Sequence, residues 1–209
     1  MCRVSTAYES FGRVRQKERT RQALLEGARA LLAEGLDPSI EAAASRAGIS
    51  RTAAYRYFAS QTAMLAAAHP EIQAVSMLPA DPPDDAPTRL DQVIAAFTEM
   101  VVATEPQQRA TLRLSLQRKD DEGPALPLRQ GRAIAWIAEA LEPLRGQLTD
   151  AQVHQLVLAI RSACGIEALV WLTDIAGLTT GEATASMRWA AQAMLQAAVS
   201  GSPPPPGAG

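Results

Sequence analysis

The sequence predicts an all-α protein built from a small N-terminal unit and a larger helical body. Three observations predict it. Alanine and leucine dominate a chain that is 47% hydrophobic but only 4% aromatic, so strong helix formers prevail. No stretch alternates apolar and polar residues for long, while several repeat apolar positions at spacings of three and four. A proline- and aspartate-rich segment, Pro79-Ala80-Asp81-Pro82-Pro83-Asp84-Asp85-Ala86-Pro87, marks a boundary between the two parts. The 209 residues are enough for a small domain plus a larger one, or for one extended helical unit.

Taken in order, residues 1–14 lack periodicity and read as a flexible arm. A helix is expected from near Arg15 to Glu34, with Leu24, Leu25, Ala28, Leu31 and Leu32 on one face and Gly35 ending it. Ser39 caps a second helix that ends at Ala47, with Gly48 at the turn. Ser50 caps a third, through Phe58, and Ser60 a fourth that Pro70 ends or kinks. Residues 15–60 thus form one unit, 61–78 a connecting helix, 79–87 a linker and 88–199 the body. Body helices are expected near 88–104, 106–118, 128–144, 150–176 and 181–199, about nine helices in all. Thr88, Thr149 and Thr180 stand at N-cap positions, Lys119 to Pro127 is a polar connection, and Gly177 closes the long helix. The tail 200–209, with four consecutive prolines, cannot pack a core and reads as disordered. No internal repeat is visible.

Charge is uneven although the net is only −2: residues 1–60 hold 10 Lys and Arg against 6 Asp and Glu, and residues 61–209 hold 10 against 16. A basic N-terminal third on an acidic body suits a partner that presents phosphate to that third alone. Two cysteines, Cys2 and Cys164, make no disulfide framework, so a reducing cytoplasm is the expected location. No signal peptide is seen, and no run approaches the ~20 apolar residues of a bilayer span, so no membrane partner is expected. An enzyme is not expected either. The two histidines, His69 and His154, have no ligand at metal-binding spacing, and no HExxH, GxSxG or glycine-rich phosphate loop occurs. Asp120-Asp121-Glu122 reads as a solvated run, and no cofactor is expected.

The segment from Ser39 to Phe58 carries the chemistry. Two short helices cross closely only where small residues meet, and Ala43, Ala44 and Ala47 supply them. Gly48 can take the left-handed backbone of a sharp turn, and Ile49 fills the space beneath it. Ala54 and Phe58 give the third helix its buried face, which turns Arg51, Thr52, Tyr55 and Arg56 outward. That is a helix-turn-helix, whose second helix enters the major groove N-terminal end first. Arg51 can donate two bonds to guanine, and Thr52 can bond a base edge or touch a thymine methyl. Tyr55 and Tyr57 can reach phosphate oxygens, and Ser39 and Ser50 bring helix N-termini that suit phosphate. With Lys17 on the preceding basic helix and Ala53, these form the candidate DNA-binding set; Arg56 reads as a solvated charge.

These residues resemble the signature of the TetR-type (TetR/AcrR) transcriptional regulators. Ser39 stands at the cap, Ala47-Gly48 ends the alanine-rich helix, Ile49-Ser50 follows, and Tyr55-Arg56-Tyr57-Phe58 and Ser60 complete the pattern. The resemblance implies an all-α homodimer with a three-helix DNA-binding unit and a larger ligand-binding bundle. It further implies a dimer interface of the last two long helices, and repression of a pseudo-palindromic operator that a small ligand relieves. Three positions depart from the pattern. Gln61 stands where lysine is frequent, Ala43 where a bulky aliphatic residue is usual, and Pro70 within a normally continuous fourth helix.

The body bears on those expectations. In 150–176, Val153, Leu156, Ile160, Ala163, Val170 and Trp171 make one stripe, while Leu158, Gly165, Leu169 and Leu172 fall elsewhere, so most sides need cover. A second copy supplies that cover most simply, with Met187 and Met194 of the last helix, and the candidate interface is Val153, Ile160, Cys164, Glu167, Trp171, Met187 and Met194. Glu167 falls inside the stripe and needs a partner, either an arginine across the interface or a ligand. Phe97, Met100, Arg113, Leu116 and Trp136 are the candidate pocket residues. With so few aromatics, the pocket would suit a small apolar or amphipathic effector.

Overall fold

No strand forms among the residues that the computed structural model describes, which are 5–36, 38–68, 75–116 and 131–201. In chain order the helices are α1 (Ser5–Ala33), α2 (Ile40–Arg46), α3 (Arg51–Tyr57), α4 (Gln61–Ala68), α5 (Ala86–Ala103), α6 (Glu105–Leu116), α7 (Arg132–Ala140), α8 (Asp150–Ala163), α9 (Ile166–Val170) and α10 (Thr180–Val199). They belong to two units, residues 1–69 with 109–129, and residues 70–108 with 130–209. Pro70, the connection from Lys119 to Pro127 and the tail beyond Gly201 lie outside the described residues.

In the N-terminal unit, α1 begins ten residues before the expected start near Arg15, so most of the supposed arm is helix. A helix already nucleated gains one hydrogen bond per added residue, and no proline interrupts Ser5–Ala33; apolar periodicity is not needed to extend it. Leu24, Leu25, Ala28 and Leu31 of α1 are buried with Ile40, Ala43, Ala44, Ala54, Phe58 and Met64, as their spacing predicts. Gly27 sits where α1 meets α2. A Cβ there would stand 2.8 Å from the Ala43 carbonyl oxygen. Arg46 forks onto Glu34, joining the end of α2 to the end of α1, and its hydrogen bonds hold the Glu34 carboxyl below the usual range. Arg29 Nε donates to the Ala68 carbonyl at 3.1 Å and satisfies one of the open carbonyls at the end of α4.

A second apolar patch joins Leu32, Leu65 and Ala66 to Ala110. Residues 109–116 therefore belong with this unit, which corrects the assignment of all of 88–199 to the body. The contact spans more than forty residues of chain, and local pattern does not encode it.

In the C-terminal unit, α5 packs on α7 and α10, and α8 packs on α7 and α10. Phe97 and Trp136 meet edge to face, with ring centroids 6.0 Å apart, in its centre. The Trp136 indole N–H donates to the Val75 carbonyl at 3.2 Å, which ties the segment before α5 to this core. Asp85, not Thr88, caps α5; its carboxylate accepts the Thr88 N–H at 2.8 Å. Thr149 caps α8 as expected, while Thr179 rather than Thr180 caps α10. Each forms a reciprocal pair with the residue three further on, Gln152 and Glu182.

The expected long helix 150–176 is broken. Gly165 takes φ 106°, ψ −169°, a region nearly closed to residues with a Cβ, and α9 starts afresh after it. Arg161 bridges the break. Its Nη1 donates to the Cys164 carbonyl at 2.6 Å and lies 3.5 Å from Glu167, and the guanidinium stacks over Phe97. Glu167 is thus within ion-pair distance of an arginine of its own chain. Gly165→Ala is expected to cost about 1–3 kcal/mol, because it adds backbone strain and a Cβ 2.8 Å from Arg161 Nη1. Denaturant unfolding checks this, and an unchanged midpoint would contradict the assignment. Asp150–Ile175 does reach the length and hydropathy of a bilayer span, which corrects the expectation that no run comes near; it is broken at Gly165 and carries Arg161 and Glu167.

Candidate nucleic-acid interface

The turn between α2 and α3 follows from its residues. Gly48 has φ 66°, and the Ile49 N–H closes the turn on the Ala44 carbonyl at 2.9 Å. Ser39 Oγ accepts the Ala42 N–H at 3.1 Å, and Ser50 Oγ accepts the Ala53 N–H at 3.3 Å. Each hydroxyl satisfies a helix start and keeps its own proton to donate. Ala54 and Phe58 are buried, which fixes the rotation of α3. Arg51, Thr52, Tyr55 and Arg56 then face outward, and Ala53 and Tyr57 are half-buried.

The outward residues fall into two clusters. In the first, Tyr55 Oη donates to Glu41 Oε1 at 2.7 Å, and Arg51 Nη2 lies 3.0 Å from the same oxygen. The Arg51 guanidinium also sits 5.7 Å from the Tyr55 ring centre. The Tyr55 hydroxyl, with a smaller contribution from the charge of Arg51, holds the Glu41 carboxyl below its ordinary value. Glu41 is absent from the residues that the sequence singles out. The available signal was an acid in the first turn of α2 facing a base in the first turn of α3 across a tight turn.

In the second cluster, Gln16, Lys17 and Thr20 of α1 and Ala53, Arg56 and Tyr57 of α3 line a groove of about 490 Å³. It brings the expected Lys17, Ala53 and Tyr57 together. Arg56, read from sequence as a solvated charge, is exposed but lines this groove beside Lys17, so two cations face one channel. That arrangement suits a phosphate backbone, with Tyr57 and Thr20 as uncharged donors.

The residues expected at a dimer interface divide. Ile160, Cys164 and Met187 are within 1% of complete burial inside their own unit, although Met187 reaches the wall of the cleft described below. Burial also pushes the Cys164 thiol up to about 11. The single stripe assumed an unbroken helix, and the break at Gly165 turns its two halves to different neighbours. Val153, Glu167 and Met194 are half-buried, and Trp171 is exposed. Trp171 lies on a π-turn, Trp171–Ile175, and with Glu167, Ala168, Leu172 and Ala190 helps line an apolar cleft of about 370 Å³. Large apolar side chains are exposed on the same elements: Leu158 at 37%, Trp171 at 55%, Ile175 at 71% and Trp189 at 72%.

The residues expected to line a pocket are divided between the two units. Phe97 and Trp136 pack on each other as core, and Met100 is half-buried. Arg113 and Leu116 belong to the N-terminal unit, where Leu116 is 78% exposed. A different cleft, of about 470 Å³, opens between α5 and α10 and is lined by Thr98, Glu99, Val102, Thr184 and Arg188 among others. Sequence reading missed it because it depends on the pairing of α5 with α10, fixed by Arg188 to Asp91 at 2.8 Å and Gln192 to the Pro87 carbonyl at 2.9 Å.

Among known families, the model for bacterial regulatory proteins of the tetR family matches residues 24–68, a span that takes in the end of α1, the helix-turn-helix and α4. No curated protein matches the chain.

Proposed function

Since the chain belongs to the tetR family of bacterial regulatory proteins, and is thereby a DNA-binding transcriptional regulator, we propose that it acts as a homodimeric repressor on a pseudo-palindromic operator and is released by a small effector. The observation that carries the DNA half is the outward face of α3, with Arg51 and Thr52 in its first turn and a two-cation groove beside it. Arg51 and Thr52 read bases, and Tyr55, Tyr57, Lys17 and Arg56 position the backbone.

The exposed tryptophans Trp171, on the π-turn after α9, and Trp189, on α10, support the dimer. A two-fold axis through them would cover the same apolar side chains on both copies, and a dimer carries two recognition helices for one duplex. The cleft between α5 and α10 supports an amphipathic effector, because it pairs aliphatic walls with Glu99 and Arg188 within the volume range of small-molecule sites.

Selection from a random DNA pool with the purified protein tests the reading. A palindromic consensus is expected, released by members of a panel of small amphipathic molecules. A consensus without two-fold symmetry would sink the dimer, and no enrichment at all would sink the operator. Two variants then separate the roles. Tyr55→Phe should weaken binding to all duplexes alike, whereas Arg51→Ala should cost ~1–3 kcal/mol on the consensus and relax preference at one base pair. Indistinguishable profiles for the two variants would refute this division of labour.

A further inference from the structure

Glu41 stands where a DNA-binding face is not expected to carry an anion. Its carboxylate is 41% exposed as a side chain, next to Arg51 at 73%. One oxygen, Oε1, takes both the Tyr55 hydroxyl at 2.7 Å and the Arg51 guanidinium at 3.0 Å. The two side chains that the proposed operator reading needs most are therefore already engaged, on one acid, in the free protein.

We propose that Glu41 is a specificity-determining residue, an anionic competitor that holds Arg51 and Tyr55 away from DNA unless a base pair compensates for releasing them. The inference rests on the operator reading above and deepens it. Its argument is a difference between two kinds of DNA. On a random duplex, the backbone offers Arg51 and Tyr55 only phosphate oxygens, which exchange one anion for another. Freeing the pair also leaves the Glu41 carboxylate bare against the phosphates, a like-charge contact that opposes binding. On the operator, a guanine edge gives the guanidinium two directed bonds, which a phosphate contact does not supply. Glu41 thus weakens both kinds of complex but weakens the random one more, and the ratio between them widens.

Its geometry also keeps the cluster ready. Arg51 stacked over the Tyr55 ring, with both tied to a residue of the other helix of the motif, presents a guanidinium of restricted orientation. Arg51 is freed by exchanging one partner, not by ordering a disordered side chain.

Glu41→Gln tests this in the full chain. The amide keeps the size and an acceptor for Tyr55 while it removes the charge. Affinities for a duplex carrying the selected consensus and for a scrambled duplex of the same composition are measured over a salt series. The scrambled duplex should bind roughly 3- to 10-fold tighter than to the native protein, the consensus less than twofold tighter, and the ratio should narrow accordingly. The slope of log affinity against log salt should steepen by about one on the scrambled duplex, as one more cation reaches phosphate. An unchanged ratio, or a parallel gain on both duplexes, overturns the proposal. Weaker binding to both, with the unfolding midpoint also lowered, overturns it as well and makes Glu41 a structural tie between α2 and α3. If the native protein selects no consensus, the operator reading fails and takes this inference with it. If it selects one and only the Glu41→Gln ratio stays fixed, this inference alone fails.

Discussion

Replacing Trp171 and Trp189 together by glutamate is expected to leave the chain folded but monomeric, with affinity for its selected duplex reduced by roughly 100-fold or more. Both indoles are more than half exposed in a single chain, so neither substitution removes an internal contact of the core. A tryptophan buries a large apolar area when a partner covers it, and interface cores are rich in such residues. Two glutamates would instead set like charges across a two-fold axis, where each copy meets its own substitution twice over. The loss on DNA follows from geometry. A dimer binds its second half-site as an intramolecular event at high effective concentration, and a monomer forfeits that gain with no change in any DNA contact. Sedimentation and duplex titration of the same sample check both halves. A protein that stays dimeric with native affinity would move the interface elsewhere, and a monomer with native affinity would remove the dimer from the mechanism.

The parts legible in the sequence are those fixed within a few residues. Ser39 and Ser50 cap because a hydroxyl there reaches the third amide on, and Gly48 turns because it lacks a Cβ. Those local rules place Arg51, Thr52 and Tyr55 on one outer face without any knowledge of the rest of the chain. The body was less legible for a physical reason. A glycine within a helical pattern either costs about 1 kcal/mol and stays, or ends the helix, and periodicity does not say which. Gly165 ends it, so residues placed on one stripe by helical projection separate into core (Ile160, Cys164) and surface (Trp171). Residues 109–116 and Glu41 were missed for a related reason. Their significance lies in contacts between elements, Ala110 with Leu32 and Leu65, and Glu41 with Tyr55, that no single helix announces.

Gly27→Val is expected to destabilise the N-terminal unit by about 3 kcal/mol, against the trend for removing a glycine from a helix. Within α1 a residue with a Cβ would ordinarily stiffen the unfolded chain and favour helix by up to ~1 kcal/mol. Here the first added carbon would already stand 2.8 Å from the Ala43 carbonyl oxygen, and backbone cannot step aside as a side-chain tip can. The two remaining methyls would deepen the overlap, so α2 must lift from α1 and uncover Leu24, Ala28 and Ala44, all at most 1% exposed. This contact also gives Ala43 a reason to depart from the bulkier residue usual in the family, since a close crossing of α1 and α2 needs little volume on both sides. Because α2 carries Glu41 and starts at the Ser39 cap, the variant should lose sequence preference on DNA before it loses all helix. Gly181→Ala is the open-site control: an added Cβ there meets nothing within 4 Å beyond its own helix, so filling that glycine should leave stability equal or slightly raised. Denaturant unfolding of both variants decides the matter. A Gly27→Val midpoint at or above the native one would mean that α1 and α2 are free to separate, and the close crossing would then have no part in holding the recognition helix.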